Sequence, residues 1–229
     1  MALARYKDLC IDAVDPERLA RFWAAVLDLE PDLRDSGPTP LKGPTKQHTV
    51  WVNPVPEAKS VKHRMHIDVN ASSVEEVLAL GATVVDGRSF PWTVLADPEG
   101  GELCVFVREG DISQRLYELG VDAAEPHEIA AWWADLLGAH AGDEDERGFS
   151  YVDQIPGAPF ESLVFARVPE PKSVKNRIHL DVATPDVDAL VTSGASVVRT
   201  PDDEIDWHVL ADPEGNEFCA FVRAEVIGR

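Results

Sequence analysis

The chain has 229 residues, of which 41 are acidic and 21 basic, so its formal net charge is −20. This negative charge argues against non-specific nucleic-acid binding and against an anionic membrane surface as partner, because both depend on Lys and Arg. The apolar fraction of 45% is enough for a packed core. Three scattered cysteines and the lack of a long apolar run predict a soluble protein of the reducing cytoplasm.

The two halves of the chain repeat each other. Similar segments begin at Ile11 and Val121 (offset 110), at Lys59 and Lys172 (offset 113), and at Trp92 and Trp207 (offset 115). The growing offset indicates small loop insertions in the second copy. We therefore predict two tandem domains, 1–109 and 114–229, that pack together.

Within each repeat the pattern predicts a strand, a helix and further strands, twice. Residues 4–13 alternate as a strand, and Asp15 and Pro16 are the expected N-cap and first residue of a helix. The stretch 37–46, rich in Pro and Gly, is predicted as a loop. The remaining expected elements are strands at 48–53, 63–69, 83–86, 92–96 and 102–107, a helix at 73–80 and a β-turn at 97–100.

These motifs resemble the vicinal oxygen chelate superfamily, which includes glyoxalase I, bleomycin-resistance proteins and extradiol dioxygenases. The resemblance lies in the Asp-Pro helix start, the aromatic helix 132–138, the His-containing strand and the Leu-Ala-Asp-Pro-Glu-Gly-Asn-Glu-Phe-Cys segment 210–219. The likeness is greatest to glyoxalase-like proteins of actinobacteria. It implies an α+β fold of four βαβββ modules, two per repeat. These would form two glyoxalase/bleomycin-resistance-like domains whose curved mixed sheets enclose cup-shaped sites.

The resemblance also implies where metal ligands would lie. The position on the first strand is Asp8 in one repeat and Glu118 in the other, and the His position is His66 or His179. The last position, where metal-dependent members carry Glu, is Cys104 or Cys219. The expected sets by repeat are therefore Asp8, His66 and Cys104, and Glu118, His179 and Cys219.

Carboxylate, imidazole and thiolate together suit Zn²⁺ better than Mn²⁺, Ni²⁺ or Mg²⁺, and three protein ligands leave a position open for substrate. The alternative is that the cysteines are buried apolar residues and the histidines structural, with no cofactor. Strand alternation adds neighbours on the same face, which are Cys10, Asp68, Glu102, Asp181 and Glu217. Of these, Glu102 and Glu217 are candidates for contacting substrate or for shifting the ligand set by one pleat.

Basic and aromatic residues supply further candidates for substrate binding. Arg64 and Arg177, in two matching basic segments, could meet a ligand carboxylate or phosphate, or pair with the acidic surface. Trp51 and Trp92 could line an aromatic pocket or pack in the core, and Phe165 is the expected counterpart of Trp51.

Two functions remain open at this point. The first is an enzyme that binds a small oxygenated metabolite and performs lyase or isomerase chemistry, with a metal as Lewis acid or with His66 and His179 as acid–base groups. The second is a non-catalytic protein that sequesters an antibiotic or natural product. Either would use a small-molecule ligand and no nucleic acid or membrane. A monomer is the default expectation and a homodimer the alternative.

Overall fold

The fold consists of four βαβββ modules, two in each repeat. Residues 2–144 and 148–223 are those described by the structure, which is a computed structural model. The first repeat holds β1 (Arg5–Ala13), α1 (Pro16–Leu27), β2 (Glu30–Pro31), β3 (Thr39–Lys42) and β4 (Val50–Pro54), then β5 (Met65–Ala71), α2 (Val74–Ala79), β6 (Thr83–Asp86), β7 (Thr93–Ala96) and β8 (Glu102–Val107). The second holds β9 (Leu116–Ala123), α3 (Pro126–Leu137), β10 (His140–Glu144), β11 (Phe149–Asp153) and β12 (Ser162–Arg167), then β13 (Ile178–Thr184), α4 (Val187–Thr192), β14 (Ser196–Arg199), β15 (His208–Ala211) and β16 (Glu217–Val222).

Local sequence patterns correctly predicted most helices and strands of the first repeat. Helix α1 begins at Pro16, and the Asp15 side chain accepts a hydrogen bond from the backbone N–H of Arg18 at 3.1 Å, as the predicted N-cap requires. The prediction of a loop over 37–46 is wrong in its centre, because Thr39–Lys42 forms β3 and pairs with β4. The buried side chains of Thr39 and Leu41 stabilise this strand despite the surrounding Pro and Gly.

Each of the two eight-stranded sheets takes one module from each repeat. Sheet 1 has the order β14-β15-β16-β13-β1-β4-β3-β2, and sheet 2 the order β10-β11-β12-β9-β5-β8-β7-β6. The antiparallel pairs β1/β13 and β5/β9 join the modules at the centre of each sheet. The first module thus shares a sheet with the fourth, and the second with the third. The two modules of one repeat lie in different sheets.

The helix-facing sides of the sheets form the core. On β1, Leu9 and Ile11 are buried there with the indole of Trp23 from α1, as strand alternation predicted. The neighbouring residues Asp8 and Cys10 belong to the opposite face. No helix within residues 2–144 and 148–223 is long and apolar enough to cross a lipid bilayer.

The Asp-Pro-Glu-Gly turns fasten the two modules of each repeat to one another. Asp97 Oδ1 accepts hydrogen bonds from the backbone N–H groups of Glu99 and Gly101, both at 2.8 Å. The Glu99 carboxylate in turn accepts from the N–H groups of Val14 (3.0 Å) and Asp15 (2.7 Å) at the start of α1. Glu214 makes the equivalent pair of bonds in the second repeat. The most specific motif of the sequence therefore has a structural role, because it connects the two modules of each repeat.

Candidate functional site

Two equivalent clusters of polar and aromatic residues lie at the centres of the sheets, and each contains residues from both repeats. The cluster on sheet 1, here the lysine cup, comprises Lys7, Asp8, Cys10, Trp51, His179, Asp181, Cys219 and Phe221. The cluster on sheet 2, here the tyrosine cup, comprises His66, Asp68, Trp92, Cys104, Phe106, Tyr117, Glu118 and Gly120. The structure therefore groups the predicted ligand positions differently from the sequence order. Asp8 joins His179 and Cys219, and Glu118 joins His66 and Cys104.

A β-bulge at the mouth of each cup turns one extra side chain into it. The pairing of β1 with β13 shifts between Tyr6 and Asp8, and that of β9 with β5 shifts by the same step around Tyr117. Strict alternation would have placed Lys7 and Tyr117 on the core face. Bulges commonly redirect a side chain in this way next to functional sites.

The tyrosine cup contains a cavity of about 710 Å³. Its walls are aromatic: Trp92 stacks on Phe106 with ring centroids 5.3 Å apart, and Tyr117 meets Phe106 edge-on at 5.1 Å. Tyr151 from β11 lines the cavity opposite Gly142 of β10, whose missing side chain leaves room for the Tyr151 ring. A volume of this size suits a small organic ligand.

Three side chains with metal-ligating atoms meet on the β5 and β8 wall of the tyrosine cup. One donor atom each from His66, Asp68 and Cys104 lies within 4.8 Å of the other two. Asp68 Oδ1 is 3.2 Å from His66 Nε2, and this buried oxygen, like Asp181 Oδ1 in the lysine cup, has no other close polar partner among the described residues. Glu118 stands beside the cluster on β9, and its Oε1 accepts a hydrogen bond of 2.7 Å from the Ser162 hydroxyl.

Burial and neighbouring charges set the protonation of these groups. Burial raises the pKa of the Cys104 thiol, although His66 opposes the rise. Burial favours a neutral imidazole at His66, but the Asp68 carboxylate outweighs it and holds the pKa of His66 well above its usual value. Burial raises the pKa of Glu118, and the charge of Asp68 adds to the rise although the Ser162 hydrogen bond opposes it.

Gly120 makes room for the His66 ring in the tyrosine cup. The two residues face each other on neighbouring strands, and a Cβ atom on Gly120 would overlap the imidazole. Cys10 occupies the equivalent position opposite His179 in the lysine cup. The His66 side chain remains 20% exposed, whereas that of His179 is 9% exposed.

The lysine cup carries its own cation. Lys7 Nζ donates a hydrogen bond to Asp8, lies 3.6 Å from Asp181 Oδ2 and stands 4.1 Å from the ring centroid of Phe221. The Trp51 indole N–H also donates to Asp8, at 3.1 Å. The carboxylates at the mouth of this cup are therefore paired within the protein.

Thiols and an imidazole lie deeper in the lysine cup. His179 Nε2 is 3.5 Å from Cys219 Sγ, and Cys10, His179 and Asp181 bring one donor atom each within 4.8 Å of one another. Burial raises the pKa values of both Cys10 and Cys219, and the charge of Asp181 adds to the effect. Both thiols are therefore held in their protonated form.

Trp51 and Trp92, which could line an aromatic pocket or pack in the core, lie in different cups. Trp92 belongs to the tyrosine cup, whereas Trp51 binds Asp8 in the lysine cup. The expected counterpart of Trp51, Phe165, is wrong by one residue. Trp51 pairs with Cys10 as Val164 pairs with Gly120, and Phe165 instead points into the core and is fully buried.

Arg64 and Arg177 lie between the repeats, where protein groups bind their guanidinium groups. Arg64 donates to the backbone carbonyls of Glu170 and Asp122. Arg177 donates to the carbonyl of Asp12 and forms an ion pair with Glu99 at 2.8 Å. Neither arginine is among the described residues that line the cavity of the tyrosine cup.

Glu102 and Glu217 hold the two basic segments rather than lining the cavity. Glu102 accepts from Lys59 Nζ at 2.7 Å and from the backbone N–H of His63 at 3.0 Å. Glu217 makes the same pair of bonds to Lys172 and to the N–H of Asn176. The matching geometry in both repeats indicates a structural role.

Several lining residues of the tyrosine cup had no sequence signal that singled them out. They are Phe106, Tyr117, Glu144, Phe149, Tyr151, Asp153, Glu161 and Ser162. Phe106 could have been found by alternation, since it lies two residues beyond Cys104 on β8. The residues of β10, β11 and β12 could not, because they enter the cup only through the pairing of β12 with β9.

Comparisons with known proteins agree with this architecture. A sequence profile described as a glyoxalase-like domain matches residues 8–106 and 118–221. Glyoxalase I from Zea mays superposes with a TM-score of 0.67 at 15% identity, covering 95% of this chain and 92% of that one. A putative dioxygenase from Bacillus subtilis superposes with a TM-score of 0.63 at 13% identity, covering 96% and 85%. No curated protein matches the sequence significantly.

Proposed function

The chain belongs to the glyoxalase-like family of the vicinal oxygen chelate superfamily, and on this premise we propose that the tyrosine cup is its working site. There the protein binds a small oxygenated metabolite and acts on it with the help of a divalent metal, in lyase or isomerase chemistry. One observation carries the proposal. The cavity of about 710 Å³ opens directly onto His66, Asp68 and Cys104.

The residues present fit a metal ion. Asp68 Oδ1 is buried and has His66 Nε2, at 3.2 Å, as its near neighbour, so a metal ion could take the place of the imidazole proton between them. An imidazole nitrogen, a carboxylate oxygen and a thiolate are donors that Zn²⁺ accepts, and Zn²⁺ with three protein ligands keeps a position for substrate. Because Cys104 must lose its proton to bind, metal affinity would rise with pH.

His66, Asp68 and Cys104 would hold the ion, which when bound supplies a Lewis acid for a carbonyl or enolate oxygen. The protein residues supply the rest. Ser162 holds Glu118 Oε1, so that this carboxylate is positioned to accept or return a proton at a substrate carbon. Trp92 and Phe106 provide an apolar wall that orients a planar ligand and excludes water.

A second function remains in competition, for a specific reason. Cys104 occupies the position at which metal-dependent members of the superfamily carry Glu, and burial keeps its thiol protonated. A cup without metal would still bind a planar molecule between Trp92, Tyr117 and Tyr151. This form of the proposal is a non-catalytic protein that sequesters an antibiotic or natural product.

Metal content separates the two. Protein purified without chelator should carry roughly one divalent ion per chain if the tyrosine cup is a catalytic metal site. The double variant His66→Ala/Cys104→Ala should lose it, and the matched double variant His179→Ala/Cys219→Ala in the lysine cup should keep it. Wild-type protein that carries no metal after growth with zinc, manganese or nickel would contradict the metal-assisted form.

Ligand binding distinguishes a binder further. A planar ligand in the tyrosine cup should quench the fluorescence of Trp92, and Trp92→Phe should remove that part of the quenching. A binder shows the quenching with no change in the ligand, whereas an enzyme converts it. Quenching that is the same in Trp92→Phe would place the ligand elsewhere.

A further inference from the structure

The two cups differ in whether a lysine ammonium neutralises their carboxylates. In the lysine cup, the Lys7 ammonium lies between Asp8 and Asp181 and against the face of Phe221. Asp8 corresponds to Glu118, Asp181 to Asp68 and Phe221 to Phe106, since each pair occupies the same register position on equivalent strands. The tyrosine cup thus repeats the surroundings of an ammonium group.

The ammonium itself is missing from the tyrosine cup. The bulge residue there is Tyr117, which packs edge-on against Phe106. Six carboxylate side chains line the cavity, and no Lys or Arg is among its described lining residues. Two of these carboxylates, Asp122 and Asp153, are paired with Lys62 and His140, and the Arg108 guanidinium lies over the rings of Tyr117 and Phe106. Among the described residues, however, no Lys or Arg forms an ion pair with Glu118 or Asp68, whereas Lys7 Nζ lies between the equivalent carboxylates of the other cup.

We propose that the tyrosine cup binds the protonated amine of its ligand between Glu118 and Asp68 and against the ring of Phe106. The ligand class is an alkylamine attached to a planar or aromatic body, which the walls formed by Trp92 and Tyr151 receive. Carboxylates and an aromatic face are the groups that bind an alkylammonium ion. This inference rests on the proposed function, because it assumes that the tyrosine cup is the ligand site.

The amine site and the metal site use different sides of the same aspartate. In the lysine cup, Lys7 approaches Asp181 Oδ2, while the nearest oxygen to His179 is Oδ1. In the tyrosine cup, His66 likewise lies nearest to Asp68 Oδ1. By this equivalence an amine in the tyrosine cup would approach the other oxygen of Asp68, together with Glu118, and leave Oδ1 to His66.

Three probes of equal size test the proposal on the full chain: 4-phenylbutylamine, 4-phenylbutanol and 4-phenylbutyrate, titrated calorimetrically at pH 7.5 and low salt. The amine should bind at least about tenfold more tightly than the alcohol, since charge-assisted hydrogen bonds exceed neutral ones, and the acid should bind least. An alcohol that binds as tightly as the amine, or an amine that does not bind, overturns the proposal.

Variants locate the amine. Glu118→Gln should weaken amine binding about tenfold and leave alcohol binding unchanged, because only the charge is removed. Tyr117→Lys should abolish the preference for the amine by supplying the cation from the chain itself, as in the lysine cup. Tyr117→Phe is the matched control: it keeps the ring and adds no cation, so the preference for the amine over the alcohol should remain. Melting temperatures show whether each variant is folded.

Glu161→Gln removes a carboxylate elsewhere in the same cavity and tests whether the attraction is general. A loss as large as that of Glu118→Gln would overturn the specific site. Failure of the amine site and failure of the proposed function are distinguishable. If the alcohol binds in the tyrosine cup but the amine shows no advantage, only the amine site fails. If no probe binds and His66→Ala/Cys104→Ala does not change metal content, the proposed function fails too.

Discussion

The lysine cup and the tyrosine cup are built from equivalent strands and carry equivalent carboxylates, but only the lysine cup has a lysine ammonium between them. Lys7 pairs with Asp8 and Asp181 and, with Trp51, occupies the mouth of its cup. At the equivalent place the tyrosine cup has Tyr117, and Gly120 and Val164 replace the larger Cys10 and Trp51. The lysine cup therefore holds an ammonium group between its carboxylates, whereas the tyrosine cup contains a cavity of about 710 Å³.

Removing the Lys7 ammonium should have the largest effect on stability. Lys7→Ala leaves Asp8 and Asp181 buried without their cation, and we expect the free energy of unfolding to fall by about 3 kcal/mol. Added n-propylammonium should restore part of the loss by binding the vacated place. Chemical denaturation with and without the amine measures both. A variant as stable as the wild type would show that the lysine cup does not depend on its cation.

A second contrast between the repeats concerns His63 and its counterpart Asn176. His63 is buried, and burial, with Lys59 and Arg177, lowers its pKa to about 4 although Glu102 opposes the shift. The unfolded chain, with a histidine pKa near 6.5, binds more protons between these values. Stability should therefore be complete above pH 6.5 and fall by at most about 3 kcal/mol as the pH drops to about 4.

His63→Asn, which copies the second repeat, should remove most of this acid sensitivity. The reverse change, Asn176→His, is the matched variant and should introduce it, provided that the ring fits beside Asn216, which stands where the first repeat has Gly101. Urea denaturation over pH 4 to 7 provides the measurement. If the stability of wild type and of His63→Asn depends on pH in the same way, the acid sensitivity does not come from His63. His66 also lies close to His63, and its charge lowers the His63 pKa further.

Gly120→Cys places in the tyrosine cup the residue that faces the histidine in the lysine cup, where it is Cys10. The new side chain would overlap the His66 ring, so we expect a loss of about 2 kcal/mol in stability and loss of metal and ligand binding. Cys10→Gly is the matched variant on the other sheet. It should cost about 1 kcal/mol and create no new binding, because Lys7 and Trp51 remain. Unchanged metal content in Gly120→Cys would contradict the role of this glycine.

Ser162→Ala tests the smallest of these contacts. It removes the hydrogen bond to Glu118 Oε1, and we expect a loss of about 1 kcal/mol in stability. If Glu118 is positioned by this bond, the affinity for the amine probe should fall more than that for the alcohol. Equal changes for both probes would indicate that Ser162 contributes only to packing.

Sequence patterns found the positions of individual site residues but not their partners. The family resemblance placed Asp8, His66 and Cys104 on the cup faces, and alternation added their neighbours Asp68 and Cys10. Alternation fails at Lys7 and Tyr117, because each lies in a β-bulge and a single extra residue reverses the face. These two bulge residues carry the main difference between the cups.

The sequence by itself determined the duplication and the order of elements in each βαβββ module. These depend on local patterns: side-chain periodicity, caps and the Asp-Pro-Glu-Gly turn. Only the tertiary structure decided that the first module pairs with the fourth and the second with the third. Strand pairing uses backbone groups that every residue carries, so local sequence does not specify which distant edges meet. That pairing brings Glu118 to His66 and Asp8 to His179, and so builds each cup from both repeats.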